Sequence, residues 1–419
     1  MTTADTVMRP ATRRYPPAGM AWVGLLLVLM AAGFAAWIYQ LAQGLQVTAM
    51  RDNVMWGLYI VTFMFFVGLS AGGLIVASAG RLFGVARFKP IVRLAVLEAT
   101  VAIIAAASFI VPDLGHPERL LNLVLHANVT SPMIWDITII VVYLVLSLLY
   151  VWLYMRRDLA ARGSRLALGT RDVSAIARAR DDGRTWMLAW IALPAAVLVH
   201  SITAWIFGLQ ISRGFWYTAI MAPLFISSAL VSGLALVLLL ALVLRRLGRV
   251  SFDDGLASFL GALLGVFIAV QAFLVFCEVL AGYYPGVASD AVRHMLDGPY
   301  TPLFGFEVLV GLVAPFVLLA GSALRRRPAA VAAAAALALA GIFAHRLEIV
   351  LVGLNSAPLP YGPGTAVGTP LDNGTSFAVT SAYVPTGVEI LIALGLIAFA
   401  ALLFTIGVMV LPLRSEGAS

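Results

Sequence analysis

Ten apolar runs divide the sequence, at 18–41, 56–80, 91–111, 133–155, 186–209, 218–244, 255–280, 302–320, 331–352 and 388–411. Each has the length a helix needs to cross the ~30 Å hydrocarbon core of a bilayer, about 20 residues. Lipid offers the backbone no water, so every N–H and C=O must be bonded within the chain, and such a run folds as a helix. The chain is 62% hydrophobic and only 11% charged over 419 residues, more apolar surface than a water-soluble core hides. The expected fold class is an all-α polytopic membrane protein with ten transmembrane helices. The first run is too long for a signal-peptide core and no small-residue cleavage motif follows it, so it counts as a span. Arg13 and Arg14 read as part of a cytoplasmic anchor rather than as a twin-arginine signal.

The basic residues orient these spans. Of 27 Lys and Arg, 22 fall at span ends or in loops on one side, four on the other, and one, Arg346, within a span. By the positive-inside rule the crowded side is cytoplasmic. This puts both termini there: a cytoplasmic segment at 1–17, a membrane domain at 18–411 and a tail at 412–419. The net charge of +7 is thus an orientation signal, and nucleic acid is not an expected partner. The single cysteine, Cys277, lies in an apolar run, which excludes disulfides and cysteine-ligated iron–sulfur or zinc centres within the chain. The outer connections at 112–132, 282–302 and 353–387 carry little charge but many structure-forming residues, among them Tyr361, Phe377 and Tyr383. They read as a packed docking face.

Spans two to five and six to nine share marks in the same order. A Trp stands near the outer start (Trp56, Trp216), then a small-residue stretch (LSAGGL at 69–74, LVSGLAL at 230–236), then a helix carrying Glu (Glu98, Glu278). A Pro followed by an acid comes next (Pro132 and Asp136, Pro302 and Glu307), and a His followed ten residues on by an amide closes each series (His200 and Gln210, His345 and Asn355). Both series begin on an inward-running span, so they read as parallel repeats about an axis along the membrane normal, at 56–209 and 218–352. Two parallel four-helix bundles (spans 2–5 and 6–9), flanked by spans 1 and 10, are expected. The small-residue stretches are read as surfaces for close helix packing.

An ionisable group at mid-bilayer costs on the order of 3 kcal/mol, so each one needs a reason. Asp136, His200, Glu278, Glu307, His345, Arg346, Glu348 and Glu389 fall in the outer half of their spans, and Glu98 alone sits nearer the cytoplasm. Glu389 opens its helix, where an acid suits the dipole. Arg346 is expected to form an ion pair with Glu278, Glu307 or Glu348, because an unpaired buried charge is so unfavourable. His345 and Glu348, three apart, share a helical face. Only His200 and His345 lie within spans, enough for one bis-histidine haem at most, and hydrogen-bonded core roles are the expectation. The lone His345-x-x-Glu348 unit supports a carboxylate-bridged metal centre poorly, so no metal is expected. What remains suits a lipophilic carrier of two electrons and two protons. Asp136, Trp135, Asn122, His126 and Tyr59 would lie near the outer surface of the first bundle, with Asp136 exchanging protons. The competing reading is that Asp136 only caps or anchors its helix.

These residues resemble a known family. MWGLYIVTFMFFVGLSAGGLIVASAGRLFG at 55–84, DLGHPERLLNLVL at 113–125, TSPMIWD at 130–136, LVHSITAWIFGLQIS at 198–212, APLFISSALVSG at 222–233, PYTPLFGFEVLVG at 299–311, HRLEIVLVGL at 345–354 and YVPTGVEI at 383–390 are similar to the polysulfide reductase NrfD family of membrane subunits, in its ten-span branch. The resemblance covers nearly the whole chain. It implies a subunit without haem or iron–sulfur cluster of its own that binds quinone or quinol, menaquinone or ubiquinone, near the outer face of a bacterial cytoplasmic (inner) membrane. It also implies an adjacent ferredoxin-type iron–sulfur subunit, often joined to a molybdopterin or other catalytic redox subunit. The family's quinone-site acid carries over to Asp136, and its site histidine to either Asn122 or His126. Proton transfer would fall on buried acids and histidines: Glu98, His200 and Glu278, with Glu307, His345 and Glu348 in the same class.

Two other functions compete with a quinone-linked oxidoreductase subunit. Parallel repeats and buried charges also occur in secondary transporters, but those place their sites at mid-depth between broken helices. Here no corresponding pair of spans is interrupted at mid-depth, although Pro194, Pro223 and Pro315 could kink single helices. A membrane anchor without a site of its own leaves the outer acids without a purpose.

Overall fold

The computed structural model describes residues 17–51, 54–284, 289–355 and 383–413. Each of the ten apolar runs is a helix: α1 (Pro17–Gln43), α2 (Leu58–Leu82), α3 (Lys89–Asp113), α4 (Pro132–Ala161), α5 (Ala175–Gly208), α6 (Met221–Arg246), α7 (Asp254–Tyr283), α8 (Thr301–Ala320), α9 (Pro328–Asn355) and α10 (Gly387–Val410). No strand occurs among the described residues. Local chemistry sets several of the starts. Ser174 and Asp253 accept hydrogen bonds from the backbone of Ala177 and Leu256 at the heads of α5 and α7. Thr386 and Glu389 form a reciprocal capping box at the head of α10.

The eighth span is not a regular helix. After one turn at Thr301–Gly305 it widens into a π-helix over Phe306–Val313 and returns to α geometry at Ala314–Ala320. Its Gly311 lies against Gly341 of α9, with backbone meeting backbone.

Packing closes two rings of four helices, α2–α3–α4–α5 and α6–α7–α8–α9, while α1 and α10 pack on each other and α10 leans on α3. The rings meet mainly through α2 against α6. There the two small-residue stretches face each other: a Cβ on Gly72 would meet the Ala229 carbonyl and Gly233, and one on Gly233 would meet the backbone of Gly72 and Gly73. Near the same seam the Trp56 and Trp216 rings stand 5.8 Å apart. The lipid-like exterior falls to the helices whose outward faces are Leu, Val and Phe, as in α4 (Val141, Val145, Leu148) and α7 (Val266, Phe273, Phe276).

Arginine–aspartate pairs tie one end of the first ring: Arg93 to Asp158 at 2.6 Å, Arg157 to Asp181 at 2.6 Å, and Arg156 to Asp181. A cavity of about 760 Å³ opens there, lined by Lys89, Arg81, Tyr154 and Trp186 among others. We call this the basic end, and the opposite one the far end.

Candidate functional site

Asp136 is the fifth residue of α4, just over one turn in from the far end, and is 3% exposed. The Thr203 hydroxyl on α5 donates to its Oδ1 at 2.6 Å. Thr203 and His200 are three apart and share the inward face of α5. His200 Nε2 lies 3.2 Å from Arg346 Nη2 of α9. Arginine only donates, so His200 accepts there and carries its proton on Nδ1. Arg346 is wholly buried, donates also to Ser228 Oγ of α6, and holds its guanidinium 3.9 Å from the centre of the Phe225 ring. His200 and Arg346 thus bind the polar residues of the two rings across their seam.

The ion pair expected for Arg346 is not formed with a glutamate. Its bonded partners are His200 and Ser228, and among the described residues it reaches Glu278 and Glu307 only through longer-range attraction. The reason is helical geometry: Arg346 stands about 100° round α9 from His345, so it points to the first ring while His345 and Glu348 point to α8. His345 Nδ1 lies 3.0 Å from Glu307 Oε1, and one donor atom from each of Glu307, His345 and Glu348 falls within 4.8 Å of the others. Glu278 of α7 interacts electrostatically with His345 and Glu348.

Inside the first ring, Glu98 is 2% exposed and its carboxylate presses on Gly73 of α2, where a Cβ would collide with Oε2. Its two oxygens have no hydrogen-bond partner among the described residues. Beside it Tyr143 donates to the Ser70 carbonyl at 2.9 Å and Ser70 Oγ donates to the Ala99 carbonyl at 2.5 Å. Tyr143 belongs to a file on α4: its buried residues from Asp136 to Tyr150 are Asp136, Ile140, Tyr143, Ser147 and Tyr150, all polar but one. The Tyr150 ring sits 5.2 Å from Tyr154, over which Arg81 lies, at the mouth of the basic-end cavity.

Among the described residues, none of the other residues read from sequence as a quinone site hydrogen-bonds to Asp136. Trp135 is 37% exposed and donates through its indole to the Val129 carbonyl at 2.6 Å. Asn122 and His126 are exposed on the connection before α4. Tyr59 is fully buried and donates at 2.6 Å to Gln40 of α1, whose amide in turn reaches the Pro112 carbonyl. This places Tyr59 in a second far-end network with Asp113, Tyr383 and Glu389. Glu389 is more than a helix-starting acid: it also accepts from Ala49 N at 2.8 Å and from the Tyr383 hydroxyl. Burial, and then the bond to Glu389, push the Tyr383 phenol up, so it stays a donor. Tyr361 and Phe377, read as part of a packed loop, lie outside the described residues, as do Arg13 and Arg14.

Sequence reasoning missed Thr203, Ser228, Gln40 and the hydroxyl file. The file had a signal, since residues 136, 140, 143, 147 and 150 recur at helical spacing. Thr203 and Ser228 carried none, because single hydroxyls are common in membrane helices and only the fold gives them partners.

Known proteins are similar to this chain in sequence. A family profile for polysulphide reductase, NrfD, matches residues 46–358. A protein described as a membrane component of dimethyl sulfoxide reductase, from Halobacterium salinarum, is 39% identical over 98% of this chain and 95% of its own length. A selenate reductase subunit of Mesobacillus selenatarsenatis is 30% identical over 62% of this chain and 64% of its own. An Hdr-like menaquinol oxidoreductase integral membrane subunit of Archaeoglobus fulgidus is 28% identical over 95% of this chain and 94% of its own. With ten membrane-spanning helices and a profile match over most of its length, the chain is a multi-pass membrane protein that belongs to the polysulphide reductase NrfD family.

Proposed function

We propose that this chain is the quinone- or quinol-binding membrane subunit of a multi-subunit oxidoreductase, with its quinone headgroup site at Asp136. The observation that carries the reading is a carboxylate buried near the far end of α4, oriented by Thr203, at the head of a hydroxyl-lined helix face. The names of the relatives, which include a menaquinol oxidoreductase subunit and subunits of two reductases, support the class. A quinone supplies two-electron, two-proton chemistry when bound. Asp136 is the group able to take or give a proton at the headgroup, and Thr203 fixes which oxygen faces it. Trp135, Asn122 and His126 form the exposed rim. Tyr59 belongs to the Gln40 network and not to this site.

With a single cysteine the chain has no thiolate set for an iron–sulfur cluster, so electrons come from or go to a partner on the far side. An iron–sulfur subunit of ferredoxin type, joined to a molybdopterin or other catalytic subunit, fits this requirement. The far-end connection before α4 exposes Leu121, Leu125 and Val129, an apolar surface suited to such a partner. Protons exchange through Glu98, His200 and Glu278, with the hydroxyl file of α4 leading to the basic end. The positive-inside rule makes that end cytoplasmic, with both termini on that side of the cytoplasmic membrane.

The test is quinol-analogue oxidation by the purified complex before and after Asp136→Asn. Turnover should fall by at least about 100-fold, the scale of a lost general base. Unchanged turnover and inhibitor sensitivity would remove Asp136 from the site.

A further inference from the structure

Three carboxylates, one imidazole and no thiol meet between α7, α8 and α9. Glu307 and Glu348 are 1% and 2% exposed, His345 2% and Glu278 9%. The nearest cation is Arg346, whose Nη2 bonds His200 and Ser228 while its Nε and Nη1 meet no acceptor among the described residues. Among the described residues, Glu278 Oε1, Glu348 Oε1 and Glu307 Oε2 accept no hydrogen bond. His345 Nδ1 lies 3.0 Å from Glu307 Oε1, and the Glu307 and Glu348 carboxylates interact with each other at close range. A buried cluster with three acids against one guanidinium is strongly unfavourable unless protons or a cation compensate it.

The arrangement favours a cation. One donor atom from each of Glu307, His345 and Glu348 lies within 4.8 Å of the other two, so all three can face one point. His345 and Glu348 project from one face of α9, and the π-helix of α8 carries Glu307 opposite them. Single π-turns inside helices recur at functional sites, where the altered register aims a side chain. One imidazole nitrogen with carboxylate oxygens suits zinc or manganese; the oxygens are too few for calcium, and no thiolate is present to select copper(I).

The geometry points to a buried divalent-cation site of the zinc or manganese class, held by Glu307, His345 and Glu348, that joins α8 and α9 beside Glu278 of α7. The site takes Glu307, His345 and Glu348 out of the proton route and leaves Glu98, His200 and Glu278 in it. It departs from the expectation of no metal, which rested on a His345–Glu348 pair without a third member; Glu307 is 38 positions away and only the fold brings it in.

The experiment measures zinc and manganese directly in the whole purified complex, by elemental analysis after a chelator wash and again after incubation with micromolar ZnCl2 or MnCl2. The wild type should hold or take up about one such ion per chain beyond those bound by its partners. Glu307→Gln and Glu348→Gln, which keep side-chain shape, should each weaken uptake by at least about tenfold. Pulsed electron paramagnetic resonance of the manganese-loaded wild type should show coupling to a single imidazole nitrogen, a readout that needs no variant to fold. Failure of the wild type to bind either ion, uptake equal in wild type and both variants, or bound manganese without nitrogen coupling would each overturn the site and identify the cluster as proton-sharing carboxylates. Because the ion itself is counted, the outcome is independent of quinol turnover and of the role of Asp136.

Discussion

Asp136 and Thr203 illustrate how far single residues can be read. An aspartate in an apolar run is conspicuous, because the cost of burying it demands a purpose. The threonine that orients it is not, since its hydroxyl could equally bond back to its own helix, and Thr203 Oγ1 does lie 2.8 Å from the Val199 carbonyl. If Thr203 positions the carboxylate, Thr203→Val should lower quinol turnover by about tenfold, equivalent to losing one hydrogen bond to a charged group, ~1.5 kcal/mol. Thr203→Ser should retain most of the activity. Steady-state rates of the two variants decide the matter, and equal rates would leave Asp136 without this support. Arg346 marks the limit of the same reasoning. Its need for a partner was legible, but the choice among candidates depended on its angle around α9 and on the packing of α6, which put Ser228 and His200 within reach instead of a glutamate.

At the scale of elements, the apolar runs specified all ten helices because lipid leaves the backbone no alternative. The irregularity of α8 was invisible: FEVLVGLV at 306–313 is equally apolar in α or π register, and the contacts of Gly311 with Gly341 and of Glu307 with His345 arise only from packing on α9. The small-residue stretches were legible as packing surfaces, and Gly72 and Gly233 give them a test. An alanine at Gly72 must push its methyl into the Ala229 carbonyl of α6. Gly72→Ala should therefore destabilise the protein by about 1–3 kcal/mol, the usual cost of overpacking. Gly183, an exposed residue within α5 with nothing near its missing Cβ, supplies the contrast. Gly183→Ala should stabilise by up to ~1 kcal/mol through helix propensity. Thermal unfolding in detergent should separate the two in opposite directions. The start of α10 gives a third value: Thr386→Ala removes the capping box and should cost ~1 kcal/mol in the same assay.

For the molecule as a whole, the arrangement of polarity across the membrane bears on which side the proposed quinone site would exchange protons with. The inward face of α4 runs from Asp136 through Tyr143, Ser147 and Tyr150 to Asp158, 22 residues or about 33 Å along the helix, the full depth of a bilayer. Ser78, Ser147 and Tyr150 are buried hydroxyls, with Tyr150 beside Ser78 and Tyr143 beside Ser147, and Glu98, whose oxygens accept no hydrogen bond among the described residues, stands beside the file. Such groups are disfavoured in a dry helix bundle and favoured where a hydrogen-bonded chain with water runs between them. Ile140, 4% exposed, is the apolar break between Asp136 and Tyr143. If this file serves the proposed quinone site, protons pass between Asp136 and the basic end while electrons pass to a partner at the far end, and turnover separates charge across the membrane. In proteoliposomes of known orientation, a pH-sensitive dye on the basic-end side should register protons in step with quinol turnover. Tyr150→Phe and Ser147→Ala together should slow that signal several-fold without altering binding of a quinone-site inhibitor, because neither residue lies near Asp136. Should the dye respond only on the far side, with the double variant behaving as wild type, the file would be structural, and Asp136 would exchange its proton directly with the far-side solution.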